Sequence, residues 1–482
     1  MMNKYDEVEN KWPEITKQMV NQFQKIAKMP IPEDVQRETQ RIFLDTIGCL
    51  VGGAQSPIGI MTHRLIKFFG KDDHSSIPGL ATRRSLFSAL YANGRMANAM
   101  DFDETFPVGA HFGTAAVISA LALGEYKNAS PDLLLRSVLA GYEFGARVAV
   151  AVGPMLCENE DGELGYPNVW GVAAPVVMAA LGASAILLEL NPTQWKNAIG
   201  LAANQTPIPT GQRWSSAVNL PDCKYCDAGW ATLAGTFAAV MASEGATGYD
   251  DILDGPTGFF RMCQVEKPNL SALSRSLEEC WYIRDVTYKF WPSCRFTHYP
   301  LTAFNKLLKS ENLQPEEIEE IEILTSPLAN SERFKKRNPI GFIERQYSYP
   351  HIFSAAALRI PPHKWLNDTD AKKIDASGIK ELIKISLHPE SLNLLDCIDA
   401  GLLKAIPGGV RMKARGTVFE AHSEIALGDP WSNETFATDD MLIEKFKNLT
   451  GRKGEAFSSK MLDTNFLLTP SEIGDFLRGA SV

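Results

Sequence analysis

Residues 171–188 read GVAAPVVMAALGASAILL, a stretch without a single charge. It is long enough to suggest a membrane span. Yet it is mostly Ala, Gly and Ser around Pro175, and Phe112 to Gly124 and Gly229 to Glu244 have the same Ala-rich, Gly-punctuated texture. Small residues let helix backbones approach closely, and a helix apolar on every side is one enclosed by other helices. The three segments are therefore expected to be buried central helices. Two of them are followed by Ser130-Pro131-Asp132 and Asn191-Pro192-Thr193, where a cap residue and a proline launch helices carrying Leu134, Val138 and Tyr142, and Trp195 and Ile199. The resulting hairpins predict a large bundle with a weak internal repeat. Upstream, Ile42, Phe43, Ile47, Leu50 and Val51 form a helical stripe that Gly52 and Gly53 are expected to end.

The texture changes near residue 284, where β-rich stretches (Ile318 to Thr325, Ile383 to His388, Thr417 to Leu427) begin to alternate with helices. After Pro430, Ala437-Thr438-Asp439-Asp440 starts a short helix to Leu449. The expected fold is mainly α: a large all-helical domain built from both chain ends, residues 1–283 and 433–482, with an inserted α/β lid over 284–432. Two crossings between lobes leave a cleft, a common setting for a small-ligand site.

A chain of 482 residues, 45% apolar and 22% charged, is long enough for two or three domains with a real core. Its net charge of −9 argues against nucleic acid or an anionic membrane as the main partner. The eight cysteines are scattered, not spaced as a small secreted framework, which fits reduced thiols in the cytoplasm. The N-terminus, with Lys4, Asp6, Glu7 and Glu9, lacks the apolar stretch of a signal peptide.

Two polar clusters stand out. The first is Asp101-Phe102-Asp103-Glu104-Thr105 with His111-Phe112-Gly113-Thr114. Acids follow the end of one helix (Ser85 to Met100), where its dipole disfavours them, and His111 with the free amides of Gly113 and Thr114 opens the next, where anions are favoured. A base beside an anion-accepting helix start suits a carboxylate substrate; a solvated acidic loop and a metal site are alternatives. The second runs from Lys289 to His298, where Lys289 and Arg295 can pair with carboxylates and Cys294 and His298 can exchange protons. A domain hinge with surface cations, or a Cys294/His298 nucleophilic pair, are other readings. Cys223 and Cys226 make half of a zinc pattern with no second half in reach, which leaves Lys224, ahead of the third Ala-rich helix, as a candidate cation. Tyr166 is a further candidate. P-loop, dinucleotide-binding, nucleophile-elbow and zincin motifs are all absent.

At these residues the sequence resembles the MmgE/PrpD family, which includes 2-methylcitrate dehydratase, cis-aconitate decarboxylase and iminodisuccinate epimerase. The carriers are Leu44-Asp45-Thr46-Ile47-Gly48, Ala97 through Thr105, Leu139-Ala140-Gly141-Tyr142-Glu143, and Lys289 through His298 in the form Lys-x-x-Pro-x-Cys-Arg-x-Thr-His. The resemblance implies a helical domain with an inserted lid, a homodimer, and a reaction without a metal or other cofactor. It puts Asp101, Thr105, His111, Lys224, Lys289 and His298 in the site; taken with the residues themselves, the expected site has His111, Asp101, Lys224 and Tyr166 in catalysis, and Thr105, Lys289, Cys294, Arg295 and His298 in substrate binding. Four positions depart from the family pattern: Tyr166 stands where decarboxylase-like members carry His, Asp227 replaces a common His, Cys294 is His in some members, and His111-Phe112 replaces a His-Pro pair.

Removing water, carbon dioxide or one stereochemical proton from a polycarboxylate builds negative charge beside a carboxylate, so the site must supply preorganised positive charge. The expected function is a lyase, a dehydratase acting on a small hydroxy-polycarboxylate, with His111 moving the proton and Asp101 orienting it or serving as partner acid/base. Decarboxylation and epimerisation are the nearest alternatives. From other classes, the Asp101-x-Asp103-Glu104 run resembles the acidic motif of diphosphate-binding terpenoid synthases, and a non-catalytic helical scaffold is also open.

Overall fold

The computed structural model describes residues 13–481 except 71, 155, 159–163, 170, 223, 225 and 226. Its helices include α1 (Glu33–Ala54), α2 (Leu86–Ala97), α3 (Gly113–Lys127), α4 (Pro131–Val152), α5 (Pro175–Leu187), α6 (Pro192–Asn204), α7 (Ala228–Ser243), α8 (His298–Ser310) and α9 (Asp439–Thr450). The described residues are mainly α.

The three Ala-rich segments become α3, α5 and α7, and every described α5 side chain is buried. Their small residues are dictated by contact: a Cβ on Gly235 of α7 would meet the Val177 carbonyl of α5 at 2.1 Å, and one on Gly141 of α4 would meet the Ala179 carbonyl at 2.6 Å. A buried hydroxyl chain ties the trio together, Ser184 Oγ donating to Thr236 Oγ1 at 3.0 Å and Thr236 Oγ1 to Ser119 Oγ at 2.9 Å. Among the described residues no helix is long and apolar enough to cross a membrane. The caps work as their sequences imply: Ser130 accepts from the Leu133 amide at 3.2 Å, and Asn191 and Gln194 form a reciprocal capping box. The expected stop at Gly52 and Gly53 is not one. α1 continues through both to Ala54, and Gly53 is glycine because a Cβ there would meet the Met96 carbonyl of α2 at 1.9 Å.

The expected strands appear as β1 (Ile318–Thr325), β2 (Ile383–Leu387) and β4 (Thr417–Ser423), joined by β3 (Gly408–Ala414). The sheet order is β2-β1-β3-β4, with β1 parallel to β2 (Ile321 opposite Ile383) and antiparallel to β3 (Ile323 opposite Val410). β3 and β4 are joined by Arg415-Gly416, both at positive φ, the two-residue turn whose twist matches a hairpin. α8 packs on β3 and β4. A second apolar core gathers here, around Phe304, Ile321, Ile323, Phe353 and Val410, apart from that of the bundle. Thr438 caps α9 by accepting from the Met441 amide at 3.3 Å, and α9 returns to pack along α1.

Candidate functional site

α2 ends at Ala97, and the chain turns through Asn98 to Thr105 before α3 begins at Gly113. Asp101 adopts φ 52°, a left-handed conformation that few non-glycine residues hold and that a functional turn commonly demands. The loop is clamped from two distant parts of the chain. Thr105 and Thr287 exchange backbone hydrogen bonds at 2.8 and 3.0 Å, laying the acidic loop beside the segment that carries Lys289. From α9, the buried Lys445 ammonium donates to Asp45 Oδ1 at 2.6 Å, the Phe102 carbonyl at 2.5 Å and the Lys289 carbonyl at 2.9 Å. Burial disfavours its charge, but Asp45 more than offsets this and raises its pKa.

Where these segments meet lies a cavity lined by Asp101, Thr105, His111, Tyr166, Lys289, Cys294, Arg295 and Arg333, with aromatic walls from Trp214, Phe296, Tyr299, Tyr347 and Trp431. At its floor, Asp101 Oδ1 lies 3.0 Å from Lys289 Nζ and 3.0 Å from Lys224 Nζ. Burial works to raise the Asp101 carboxyl, but Lys224, Lys289 and His111 outweigh it and hold the pKa at about 2. Asp101 is thus ionised at any ordinary pH, and among the residues that line the cavity Lys289, Arg295 and Arg333 outnumber this one carboxylate.

His111 Nδ1 faces two acceptors, the Glu104 carbonyl at 2.7 Å and Asp103 Oδ2 at 3.1 Å, so its proton belongs on Nδ1. Nε2 then lies on the side of Asp101, 3.9 Å from Oδ1. The sequence reading had Asp101 orient His111 or serve as its partner acid/base; the carboxylate in contact with Nδ1 is that of Asp103, and Asp101 lies on the Nε2 side. That carboxylate is fully buried, accepts from Asn98 Nδ2 at 3.0 Å and Thr114 Oγ1 at 2.8 Å, and is held well below the usual carboxylate range against burial, chiefly by His111. The start of α3 is likewise not open to a substrate: the Gly113 amide donates to Glu104 Oε1 at 2.6 Å, and the Tyr142 hydroxyl to Oε2 at 2.9 Å. Burial, with Asp103 and Asp45 nearby, raises the Glu104 carboxyl to about 8. With all three acids engaged inside the protein, the diphosphate-binding reading gains no support.

Thr105 Oγ1 is buried in the cavity wall with no hydrogen-bond partner, as a substrate-binding hydroxyl would be. The Tyr166 hydroxyl donates to the Leu328 carbonyl at 2.9 Å, and burial raises its pKa above the ordinary tyrosine value. Cys294 lines the cavity, but burial and then the Asp101 carboxylate push its thiol up to about 11. His298 sits behind the wall as the first residue of α8, its ring 5.2 Å from that of Trp291 and its Nε2 3.3 Å from the Ser293 carbonyl; burial, then Arg295 and Lys289, keep it neutral. A thiol that stays protonated, with a histidine whose Nε2 faces Ser293, does not support the Cys294/His298 nucleophile. Arg295 is paired with the buried Asp429. Lys224 approaches Asp101 from outside the cavity, donating also to the Asn98 carbonyl at 2.9 Å and lining a second, smaller pocket with Arg95 and Asp227. Asp227 caps α7, accepting from the Gly229 amide at 3.0 Å. Cys223 and Cys226, the half zinc pattern, lie outside the described residues. Arg333 and Lys445 were not singled out by sequence reasoning, and Asp103 only as a member of the acidic run; Arg333 stands in Arg333-Phe334-Lys335-Lys336-Arg337, where nothing distinguishes a buried cation from its solvated neighbours.

A cis-aconitate decarboxylase of Homo sapiens is 22% identical over 440 residues, covering 87% of this chain and 88% of that protein. One of Mus musculus is 21% identical over 406 residues, covering 81% and 80%. A cis-aconitate decarboxylase-like protein of Aspergillus oryzae is 24% identical over 313 residues, covering 61% of this chain and 62% of that protein, less than two thirds of its length. The MmgE/PrpD N-terminal domain matches residues 17–270 and the MmgE/PrpD C-terminal domain residues 291–462, and by that succession over most of its length the chain belongs to the MmgE/PrpD family.

Proposed function

We propose that this MmgE/PrpD-family enzyme is a cofactor-independent lyase that dehydrates a small hydroxy-polycarboxylate of the 2-methylcitrate or citrate type. The observation that carries the reading is the His111 imidazole held between Asp103 and the lysine-flanked Asp101 in one cavity wall. With Nδ1–H fixed by Asp103 and the Glu104 carbonyl, Nε2 accepts the proton α to a carboxylate, and the ionised Asp101 stabilises the imidazolium that forms. Lys289 meets the charge that builds on the adjoining carboxylate, and Thr105 Oγ1 donates to the substrate. Lys224 acts through Asp101, fixing its ionisation from the far side, and Arg295, Cys294 and His298 complete the binding wall and its backing. Tyr166, once its hydroxyl leaves the Leu328 carbonyl, is a donor for the departing hydroxyl.

Decarboxylation of a cis-aconitate-like acid is the second reading, favoured by the names of the three relatives; epimerisation uses the same proton step. The purified, chelator-treated protein should be incubated with citrate, 2-methylcitrate, cis-aconitate and iminodisuccinate and the products followed by NMR. Loss of water from either hydroxy acid supports the proposal. Carbon dioxide release from cis-aconitate alone replaces it with the second reading, and turnover that vanishes on chelation contradicts its cofactor independence.

The inserted segment, residues 284–432, is proposed to act as a lid on a helical domain formed by 1–283 and 433–482. A homodimer is proposed from the outer face of α7, where Trp230 (49% exposed) and Phe237 (41%) flank the half-buried Leu233 and Ala234 with no charge among them. A cytoplasmic setting is proposed from the free state of the six described cysteines.

A further inference from the structure

Arg333 presents a problem of charge. Its side chain is buried in the cavity wall, 3% exposed, yet it forms no ion pair with any carboxylate among the described residues. One Nη1 donates to the Trp214 carbonyl at 2.8 Å, and Nε is buried without a hydrogen-bond partner. Its guanidinium carbon lies 5.2 Å from the ring of Trp214, 5.3 Å from that of Tyr347 and 5.9 Å from that of Tyr166. Aromatic faces offset part of the cost of burying a cation, and the Trp214 carbonyl and the Tyr166 hydroxyl take part of the planar donor fork, but no carboxylate among the described residues balances its charge. The contrast with the other cavity cations is informative, because Lys289 is matched by Asp101 and Arg295 by Asp429.

We infer that Arg333 is the receptor for a second carboxylate of the ligand, taken bidentately by the guanidinium while the first carboxylate lies against Lys289 beside His111. This rests on the polycarboxylate reading and deepens it. A guanidinium matches a carboxylate in plane and spacing as an ammonium does not, and an aromatic surround excludes the water that would otherwise compete. The consequence is selectivity for dianions over monoanions of the same size, set by a residue that carries no proton in the reaction.

The test is calorimetric titration of wild type, Arg333→Gln and Arg333→Lys with succinate and with succinamate, in which a neutral amide replaces one carboxylate, and with tricarballylate. Wild type is expected to prefer succinate to succinamate by roughly 10- to 100-fold. Arg333→Gln should bind succinamate within about twofold of wild type and lose the preference, while Arg333→Lys keeps part of it. Unliganded melting temperatures verify folding, and Arg333→Lys carries the test if the neutral variant does not fold. A wild type that prefers the dianion together with variants that keep the full preference overturns the role of Arg333 alone. A wild type that binds neither tricarballylate nor succinate overturns the polycarboxylate reading and this inference with it.

Discussion

At the scale of single residues, the site divides its carboxyl groups by surroundings. Asp101 and Asp103 are held ionised by cations and the imidazole, whereas Glu104, one residue further, is raised to about 8 by burial. Between the free value near 4.5 and about 8, the folded chain keeps a proton on Glu104 that the unfolded chain has released, so this group lowers stability as pH rises across that window. The full slope is about 1.4 kcal/mol per pH unit. Glu104→Gln should therefore flatten the fall in melting temperature between pH 5 and 8; an unchanged slope would show that Glu104 ionises normally. Asp101 acts in the opposite sense, and the stability it adds disappears only as pH drops from its free value of 3.8 toward about 2. Cys294 offers a third contrast. With its thiol pushed to about 11, Cys294→Ser should retain turnover within about tenfold and the wild type should resist iodoacetamide at pH 7.5, whereas rapid inactivation on alkylation would restore the covalent reading.

At the scale of elements, the site is a junction, and α9 is what locks it. Lys445 holds carbonyls from the acidic loop and from the Lys289 segment while pairing with Asp45 on α1. Lys445→Met leaves Asp45 buried and unpaired and is expected to cost about 3–5 kcal/mol, with most of the loss recovered in an Asp45→Leu/Lys445→Met double variant, as melting of the three proteins will register. The sequence reading reached the small-residue helices because periodicity and composition are local. It missed β3, whose inward Val410, Met412 and Ala414 alternate with Arg411 and Lys413 behind Gly408 and Gly409, residues that weaken strand propensity. It took Gly52 and Gly53 as a stop because only the neighbouring helix explains them. Asp101, Thr105, His111 and Lys289 were legible as dense polar clusters in apolar surroundings. Arg333 was not, since burial of one arginine in a basic run is decided by Trp214 and Tyr347, residues far from it in sequence or hidden in aromatic texture.

At the scale of the whole molecule, the loop between α2 and α3 supplies Asp101, Thr105 and His111, and the segment from residue 284 onward supplies Lys289, Arg295, Arg333 and most of the aromatic wall, so neither part holds the site alone. The proposed dimer draws on a different face. Phe237→Glu on α7 should shift the protein to a monomer in light-scattering chromatography; if it stays dimeric, the interface lies elsewhere. What unites these levels is the proposed proton transfer at carbon by His111, in a cavity whose lining carries positive charge in surplus. The most direct test is NMR observation of solvent deuterium entering the carbon-bound position next to a carboxylate, for the best-turned-over acid, in wild type and His111→Ala of equal melting temperature. The wild type should incorporate deuterium and the variant should slow by about 10²–10⁴-fold. Incorporation at the wild-type rate in His111→Ala would contradict the account.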